Sequence, residues 1–144
     1  KGDLYGEKLF RDLGDRRRFI DNDRGSWNVS KLSCATIVER MDECRKLLGD
    51  TYDFIVHTPE VCEMVPTGFS KGTGILKTCE LLGVDVKDTI AIGDSVNDLD
   101  MFSVAGTAVA MGNGSDIAKE NADFVTSPML EDGIYNALKE LKLI

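Results

Sequence analysis

The amino-acid sequence predicts an α/β protein in which part of a doubly wound parallel sheet follows a smaller α+β block. Thr89–Gly93 and Thr107–Met111 are apolar runs without alternation, which is typical of parallel strands buried on both faces. Helical patterns separate these runs, and strict helix–strand alternation indicates a parallel, doubly wound sheet. The rhythm changes at Pro66-Thr67-Gly68, a hinge-like segment. We therefore expect two domains, residues 1–66 and residues 67–144.

The first block has the pattern of one helix followed by a β-hairpin. A capping box at Thr36 predicts the helix start, and Gly49 predicts its end as a left-handed cap. The strand candidates Tyr52–His57 and Val61–Val65 flank Thr58-Pro59, which predicts the turn of a hairpin.

The second block continues the alternation of helices and strands. Its other predicted elements are a helix from Ser70 to Leu82 closed by Gly83, a helix over Asn97–Ala105, a short helix after Ser115, a strand at Phe124–Thr126, and a closing helix marked by Ile134, Leu138 and Leu141.

Charge and composition exclude several classes of partner. The chain has 144 residues, 42% of them hydrophobic and 29% charged, as in an ordinary globular protein. Its net charge of -8 disfavours a nucleic-acid partner, because phosphate-backbone binding needs a basic face, and the Arg16-Arg17-Arg18 cluster is too short to reverse this. No signal peptide or membrane-length apolar segment is visible in the sequence, so we expect no membrane partner and a cytoplasmic location.

The four cysteines show no metal-ligand spacing. Cys34, Cys44, Cys62 and Cys79 form no C-x-x-C pair and have no cluster of histidines near them, so zinc has little support. Their even number leaves disulfides open. Cys44 and Cys79 fall on apolar helix faces, which favours buried, reduced thiols and a cytoplasmic protein.

The segment Gly93-Asp94-Ser95-Val96-Asn97-Asp98 is the strongest candidate site. Asp94 follows a predicted parallel strand at its carboxyl end, where ligands of open α/β sheets bind. Asp98 lies one helical turn later, so both carboxylates can face one crevice and hold Mg²⁺ with a phosphate. Asn97 can donate to a phosphate oxygen at a helix start. The plain alternative is helix capping, but capping needs only one such residue, and the coincidence of several favours a site.

Lys71 is the second candidate site residue. It begins a predicted helix together with Gly72 and Gly74, where a cation opposes the helix dipole. Each of these glycines costs about 1 kcal/mol relative to Ala in a helix. We expect Lys71 to neutralise phosphate charge and to pair with Asp98; the plain alternative is a solvated lysine. The segment is not a P-loop, because Lys71 precedes the glycines.

Other polar segments allow weaker interpretations. Met111-Gly112-Asn113-Gly114 follows a strand and either brings backbone to the site or forms a plain turn. His57 is interpreted as structural or surface-exposed. The segment Asp21–Ser26 is similar in composition to a metal-binding loop. It is not an EF-hand, because Leu32 occupies the position at which that motif requires Glu.

Together, these residues resemble the haloacid dehalogenase-like (HAD) phosphatase superfamily, in its Cof-type branch. Phe69-Ser70-Lys71-Gly72 resembles the family's third motif and Gly93–Asp98 its fourth. The resemblance implies part of a HAD-like Rossmannoid core after part of an α+β cap that sets substrate specificity. It implies Lys71, Asp94 and Asp98 as catalytic residues, Lys71 and Asn97 as phosphate-binding residues, Asp94 as a ligand of the cofactor Mg²⁺, and a small phosphorylated metabolite as substrate.

The chain departs from the family at the nucleophile. Family members attack the phosphorus with an Asp of an Asp-x-Asp-Gly-Thr motif near the start of the protein, and Asp21–Ser26 imitates it only with an extra Arg and without the apolar strand. The chain also opens at Lys1 without an initiator Met. We therefore expect the C-terminal half of a phosphatase, inactive in isolation, whose sheet would end at the Thr89–Gly93 strand as a bare edge.

Several alternatives stay open. The first alternative is that another polypeptide supplies the missing strands. The second is that these strands belong to the same protein but lie outside the 144 residues. The third is that the fragment pairs with itself. In place of an enzyme, the chain could be a non-catalytic module that binds through its phosphate and magnesium site or through the exposed sheet edge. Sugar phosphates, nucleotides and cofactor phosphates are all open as substrates.

Overall fold

The computed structural model describes residues 30–35, 38–59 and 61–144. The chain divides into two compact units, Lys1–Thr67 and Gly68–Ile144. The Thr36 capping box, the Arg16-Arg17-Arg18 cluster and the Asp21–Ser26 segment lie outside the described residues. In the part of the chain that is described, no helix is both long enough and apolar enough to cross a membrane.

The first unit contains a small antiparallel sheet and one helix. Its elements are β1 (Leu32–Ala35), α1 (Val38–Leu48), β2 (Tyr52–Thr58) and β3 (Val61–Pro66). The strands lie in the order β1-β3-β2, and both pairs are antiparallel. The core consists of Met41, Cys62 and Met64, with Cys34, Tyr52 and Phe54 packed against it. The predicted hairpin is confirmed, with the β2–β3 turn where Thr58-Pro59 placed it.

Two features of this unit differ from expectation. β1 was not predicted; its pairing with β3 joins residues about thirty positions apart, as in Leu32 opposite Met64, and no local pattern reports such a contact. The prediction that Gly49 ends the helix as a left-handed cap was wrong. Gly49 has no positive φ, and its amide instead donates to the Arg45 carbonyl at 2.9 Å, so the chain leaves the helix through a further right-handed turn.

The second unit is a parallel three-stranded sheet with flanking helices, which confirms the predicted fold class. Its strands lie in the order β4-β5-β6, and both pairings are parallel. The elements are α2 (Lys71–Leu82), β4 (Ile90–Gly93), α3 (Leu99–Val104), β5 (Thr107–Ala110), α4 (Asp116–Glu120), β6 (Phe124–Val125) and α5 (Gly133–Glu140), with 3-10 turns at Val86–Asp88, Val96–Asp98 and Met129–Glu131.

The ends of α2 follow the sequence signals. Ser70 is the N-cap: its hydroxyl accepts from the Thr73 amide at 3.0 Å, and the Thr73 hydroxyl accepts from the Ser70 amide at 2.8 Å. Gly83 closes the helix with a φ of 67°, and this left-handed conformation favours glycine. The Ser70 cap fixes the start of α2, and with it the position of Lys71, and the Gly83 cap fixes its end.

The strands of this sheet differ in burial. Ala108, Val109 and Ala110 of β5 are buried, as expected for a central strand. The expectation that Thr89–Gly93 is buried on both faces was wrong, because Ile90 and Ile92 are only half-buried. β4 is one of the two outer strands among the three described in this sheet, so part of its surface remains exposed. Ile134, expected on the buried face of the closing helix, is 55% exposed, and Ala137 is buried there instead.

Candidate functional site: the carboxyl edge of the parallel sheet

Asp94 lies directly after β4, at the carboxyl edge of the parallel sheet. Its carbonyl accepts from the Ser115 amide at 2.8 Å, and the preceding Gly93 carbonyl accepts from the Met111 amide at 2.8 Å. The loop after β5 is thereby attached to the end of β4. Both interpretations of the Met111–Gly114 segment hold: it forms a turn in which the Gly114 amide donates to the Met111 carbonyl at 2.8 Å, and its backbone lies at the candidate site.

Asp98 is the only buried charged side chain in the part of the chain that the structure describes, with 3% of its surface exposed. Its Oδ2 accepts from the amides of Asp94 at 2.8 Å and Ser95 at 3.0 Å, and its Oδ1 forms an ion pair with Lys71 Nζ. Both carboxylate oxygens are therefore engaged. Satisfied in this way, a buried carboxylate is tolerated and locks the turn between strand and helix.

Gly93 is required by the same turn. A Cβ at this position would lie 2.5 Å from Asp98 Cγ and 2.7 Å from its Oδ2. Any side chain here would expel the carboxylate from the turn that it closes. The glycine before Asp94 is thus explained by close approach.

Lys71 meets Asp98 across a sequence separation of 27 residues. Its Nζ also donates to Asn97 Oδ1 at 3.1 Å, and 48% of its side chain remains exposed. The expected pairing of Lys71 with Asp98 is present. A buried anion therefore fixes the position of the ammonium group, while the lysine side chain is still half exposed to solvent. A group that binds a soluble anion must be accessible in this way.

Asn97 is oriented by two donors. Its Oδ1 accepts from Lys71 Nζ and from the Ser95 hydroxyl, the latter at 2.7 Å. These contacts fix the orientation of the Asn97 side-chain amide next to Lys71. The Ser95 hydroxyl, which orients Asn97, was not among the residues that sequence reasoning selected.

Asp94 differs from Asp98 in its environment. Its side chain is exposed, and within the described residues its carboxylate takes part in no hydrogen bond or ion pair. A carboxylate with open coordination suits a hard divalent cation that keeps several waters and shares a phosphate. Among the described residues no three carboxylates, imidazoles or thiols cluster as a metal site.

Asp100 is a further site residue that sequence reasoning missed. Its Oδ2 accepts from the Gly72 amide at 2.6 Å, so a carboxylate of α3 caps the start of α2 next to Lys71. A Cβ on Gly72 would lie 2.6 Å from the same oxygen. The signal for this contact was present as a third carboxylate in the Asp94–Asp100 segment and as a glycine early in a helix, but only the fold joins them.

The electrostatics of the site favour an ionised Asp98. Burial acts to raise the pKa of this carboxyl, but hydrogen bonds from Lys71 and from the Asp94 and Ser95 amides, with the charge of Lys71, hold its pKa below the usual value. Asp98 is thus a permanent anion at neutral pH, and Lys71 is its counterion.

Two other residues that the sequence analysis singled out have contacts within their own units. His57, on β2 of the first unit, is half-buried, and its Nε2 lies 3.5 Å from Glu63 Oε2. Asn113 accepts from the Met129 amide at 2.7 Å and so fixes the loop that follows β6. All four cysteines are free thiols, with Cys62 and Cys79 buried.

The comparison with protein families decides the identity of this arrangement. Residues 14–138 match the model of the haloacid dehalogenase-like hydrolases. The chain belongs to this family. The resemblance inferred from Lys71 and Gly93–Asp98 is confirmed, and with it the HAD-like fold.

Two individual relatives are also named as phosphatases. The putative phosphatase YkrA of Bacillus subtilis is 52% identical over 82 residues, which cover 57% of this chain and 32% of YkrA. The 5-amino-6-(5-phospho-D-ribitylamino)uracil phosphatase YcsE of the same organism is 37% identical over 101 residues, covering 70% of this chain and 40% of YcsE.

A solved structure gives the match in three dimensions. A HAD-superfamily phosphatase from Bacteroides thetaiotaomicron superimposes with a TM-score of 0.82 and 28% identity, covering 96% of this chain and 52% of that one. This chain thus spans between a third and about half of the length of these three relatives.

Proposed function

We propose that the protein is a Mg²⁺-dependent phosphatase that hydrolyses a small phosphomonoester, and that this chain supplies the cation-binding and phosphate-binding part of the active site. The observation that carries the proposal is the difference between two neighbouring carboxylates at the sheet edge. Asp98 is buried and fully engaged, whereas Asp94 beside it is exposed and its carboxylate is open.

The donor set fits magnesium. Asp94 offers one hard oxygen ligand at the carboxyl end of β4, and Mg²⁺ is commonly bound by one or two carboxylates together with phosphate and water. When bound, the ion would offset negative charge on the transferring phosphoryl group. Lys71 would supply a second positive charge to the same group, with Asp98 as a positioning residue that fixes the ammonium.

The proposed reaction is a two-step phosphoryl transfer with an aspartate nucleophile. A carboxylate oxygen attacks the phosphorus, the P–O bond to the substrate alcohol breaks, and the departing alkoxide takes a proton. Water then attacks the aspartyl-phosphate, which releases inorganic phosphate and restores the carboxylate. The attacking Asp is proposed to come from outside this chain, since Asp21–Ser26 departs from the nucleophile motif and Asp94 and Asp98 have other proposed roles.

The substrate class is proposed from the relatives. YkrA and YcsE are described as phosphatases, and YcsE as one that acts on a phosphorylated ribitylaminouracil. A small phosphorylated metabolite is thus the proposed substrate here, with unit Lys1–Thr67 as part of the cap that selects it and Gly68–Ile144 as the C-terminal half of the core.

Activity measurements test this proposal. The isolated chain is expected to show no Mg²⁺-dependent turnover of p-nitrophenyl phosphate, because it lacks the nucleophile motif. Co-expression with the part of YkrA that precedes its region of similarity should give turnover that Asp94→Ala abolishes and Asp116→Ala, an exposed carboxylate on α4, leaves intact. Turnover by the isolated chain, or turnover of the complex that survives Asp94→Ala, would overturn the proposal.

A non-catalytic binding module is the second candidate. It is favoured by the position of β4, which pairs with β5 on one side and, among the described strands, with none on the other. An unpaired apolar edge is a template for another chain. Calorimetric titration with Mg²⁺ and inorganic phosphate, combined with mass analysis for a co-purifying polypeptide, separates the two candidates: a stable partner that binds the edge without conferring turnover favours the module.

A further inference from the structure

Two cysteines of the first unit face each other across neighbouring strands. Cys34 of β1 and Cys62 of β3 are directly opposed in the antiparallel register. Opposed residues of antiparallel strands have Cα atoms roughly 4.5 to 5.5 Å apart. That spacing lies within the roughly 4.4 to 6.8 Å that disulfides span. The backbone therefore already has a separation at which the two sulfurs can bond.

The side chains of this pair belong to one small core. Cys34 packs against the cluster of Met41, Cys62 and Met64, and Cys34 Sγ donates to Met64 Sδ at 3.5 Å. Both sulfurs therefore lie on the core side of the sheet.

The two thiols differ in access. Cys62 is 1% exposed, whereas Cys34 is half-buried and within reach of a small solute. Burial above all, and then the neighbouring Cys34, raises the pKa of the Cys62 thiol. Cys62 therefore stays protonated and protected, and Cys34 is the thiol that an oxidant meets first.

We propose that Cys34 and Cys62 form a reversible redox pair that a hydroperoxide converts to an intramolecular disulfide. Cys34 sulfur attacks the peroxide O–O bond, which breaks to give a sulfenic acid on Cys34 and one molecule of water when the oxidant is hydrogen peroxide. Cys62 sulfur then attacks the Cys34 sulfur, and the hydroxyl leaves with the Cys62 proton as a second water. Two thiols lose two electrons and two protons, and the peroxide is reduced.

The disulfide would bond β1 to β3, two neighbouring strands that α1 and β2 separate along the chain. Because β1 is a four-residue outer strand, this bond would hold the least supported strand of the sheet in place. A thiol reductant would return the pair to the state seen here. The proposal makes the first unit a site of oxidative modification, independent of the phosphoryl chemistry proposed for the second.

The test is peptide mapping after oxidation of the chain with hydrogen peroxide. Treated protein is denatured in iodoacetamide, digested and analysed by mass spectrometry with and without prior dithiothreitol. The expected result is the loss of two of the four alkylated thiols and a Cys34–Cys62 linked peptide that dithiothreitol removes. Cys34→Ser should leave no linked peptide.

Cys44→Ser is the matched control, because Cys44 is a half-buried free thiol of the same unit, like Cys34, but lies on α1. This variant should give the same linked peptide in the same yield as the unmodified chain. A Cys44–Cys62 link, sulfinic acid on Cys34 without a link, disulfides between chains, or four free thiols after treatment would each overturn the proposal.

Discussion

The two sheets of this protein place their polar chemistry differently. In the antiparallel sheet of the first unit, the core is made of sulfur and aromatic side chains, and the ion pair Lys31–Glu63 lies at the surface. In the parallel sheet of the second unit, a carboxylate is buried at a strand end and tied to a lysine of a different element. A buried charge of this kind requires local compensation, and here the compensation also shapes a site.

The direction of the strands explains why the proposed active site lies on the parallel sheet. The carboxyl ends of β4 and β5 meet at one edge, where Gly93, Asp94 and Asp98 follow one strand and the Met111–Gly114 loop follows the other. Antiparallel strands alternate in direction, so their ends do not gather like groups at one edge.

Removing the buried carboxylate should have the largest effect. Asp98→Ala leaves the Asp94 and Ser95 amides without their acceptor and removes the counterion of Lys71, so we expect a loss of about 3 kcal/mol in the free energy of unfolding. Urea denaturation combined with hydrogen exchange of the β5 amides measures it. A loss below about 1 kcal/mol would show that Asp98 does not hold the turn together.

The two glycines at the start of α2 should respond in opposite directions. Gly72→Ala would place a Cβ 2.6 Å from Asp100 Oδ2 and 2.8 Å from its backbone carbonyl oxygen, which should cost about 1–3 kcal/mol. Gly74→Ala meets nothing within 4 Å and should stabilise the helix by up to about 1 kcal/mol. Thermal unfolding of the two variants should bracket the parent, and the same sign for both would refute the α2–α3 contact.

Much of this site could be predicted from the sequence, because its signals are local. The apolar runs before Asp94 and Met111, the Ser70 and Gly83 caps and the spacing of Asp94 and Asp98 each depend on a few neighbouring residues. The position of β1, the Asp100–Gly72 contact and the half-exposure of Ile90 could not be predicted in this way. Each depends on which distant segments pack together, and the single-strand pattern contains no information about that.

Acid should weaken the second unit through Asp98. Its pKa is held below the usual value in the folded protein, so its stabilising contribution is complete at neutral pH and is lost as the pH falls through the folded pKa, below about pH 4. The stability difference between the parent and Asp98→Asn should therefore shrink on acidification. Urea midpoints at pH 7, 5, 4 and 3 measure it, and a constant difference would contradict the assignment.

The surface ion pair of the first unit should matter least. Lys31 Nζ lies 2.7 Å from Glu63 Oε1, but half of the lysine side chain is exposed and the pair is screened by solvent. Lys31→Ala should change the free energy of unfolding by less than about 1 kcal/mol. A larger effect in chemical denaturation would remove the contrast with the buried Lys71–Asp98 pair.

The most direct test of the central claim is to locate the cation on the sheet edge. Mn²⁺, added in small amounts with inorganic phosphate to ¹⁵N-labelled protein, should broaden the amide signals of residues 94–97, and excess Mg²⁺ should reverse the broadening. Asp94→Ala should abolish this effect without a loss of stability, whereas Asp116→Ala should leave it unchanged. Broadening that persists in Asp94→Ala, or that centres on Asp116, would contradict the assignment of Asp94 as the cation ligand.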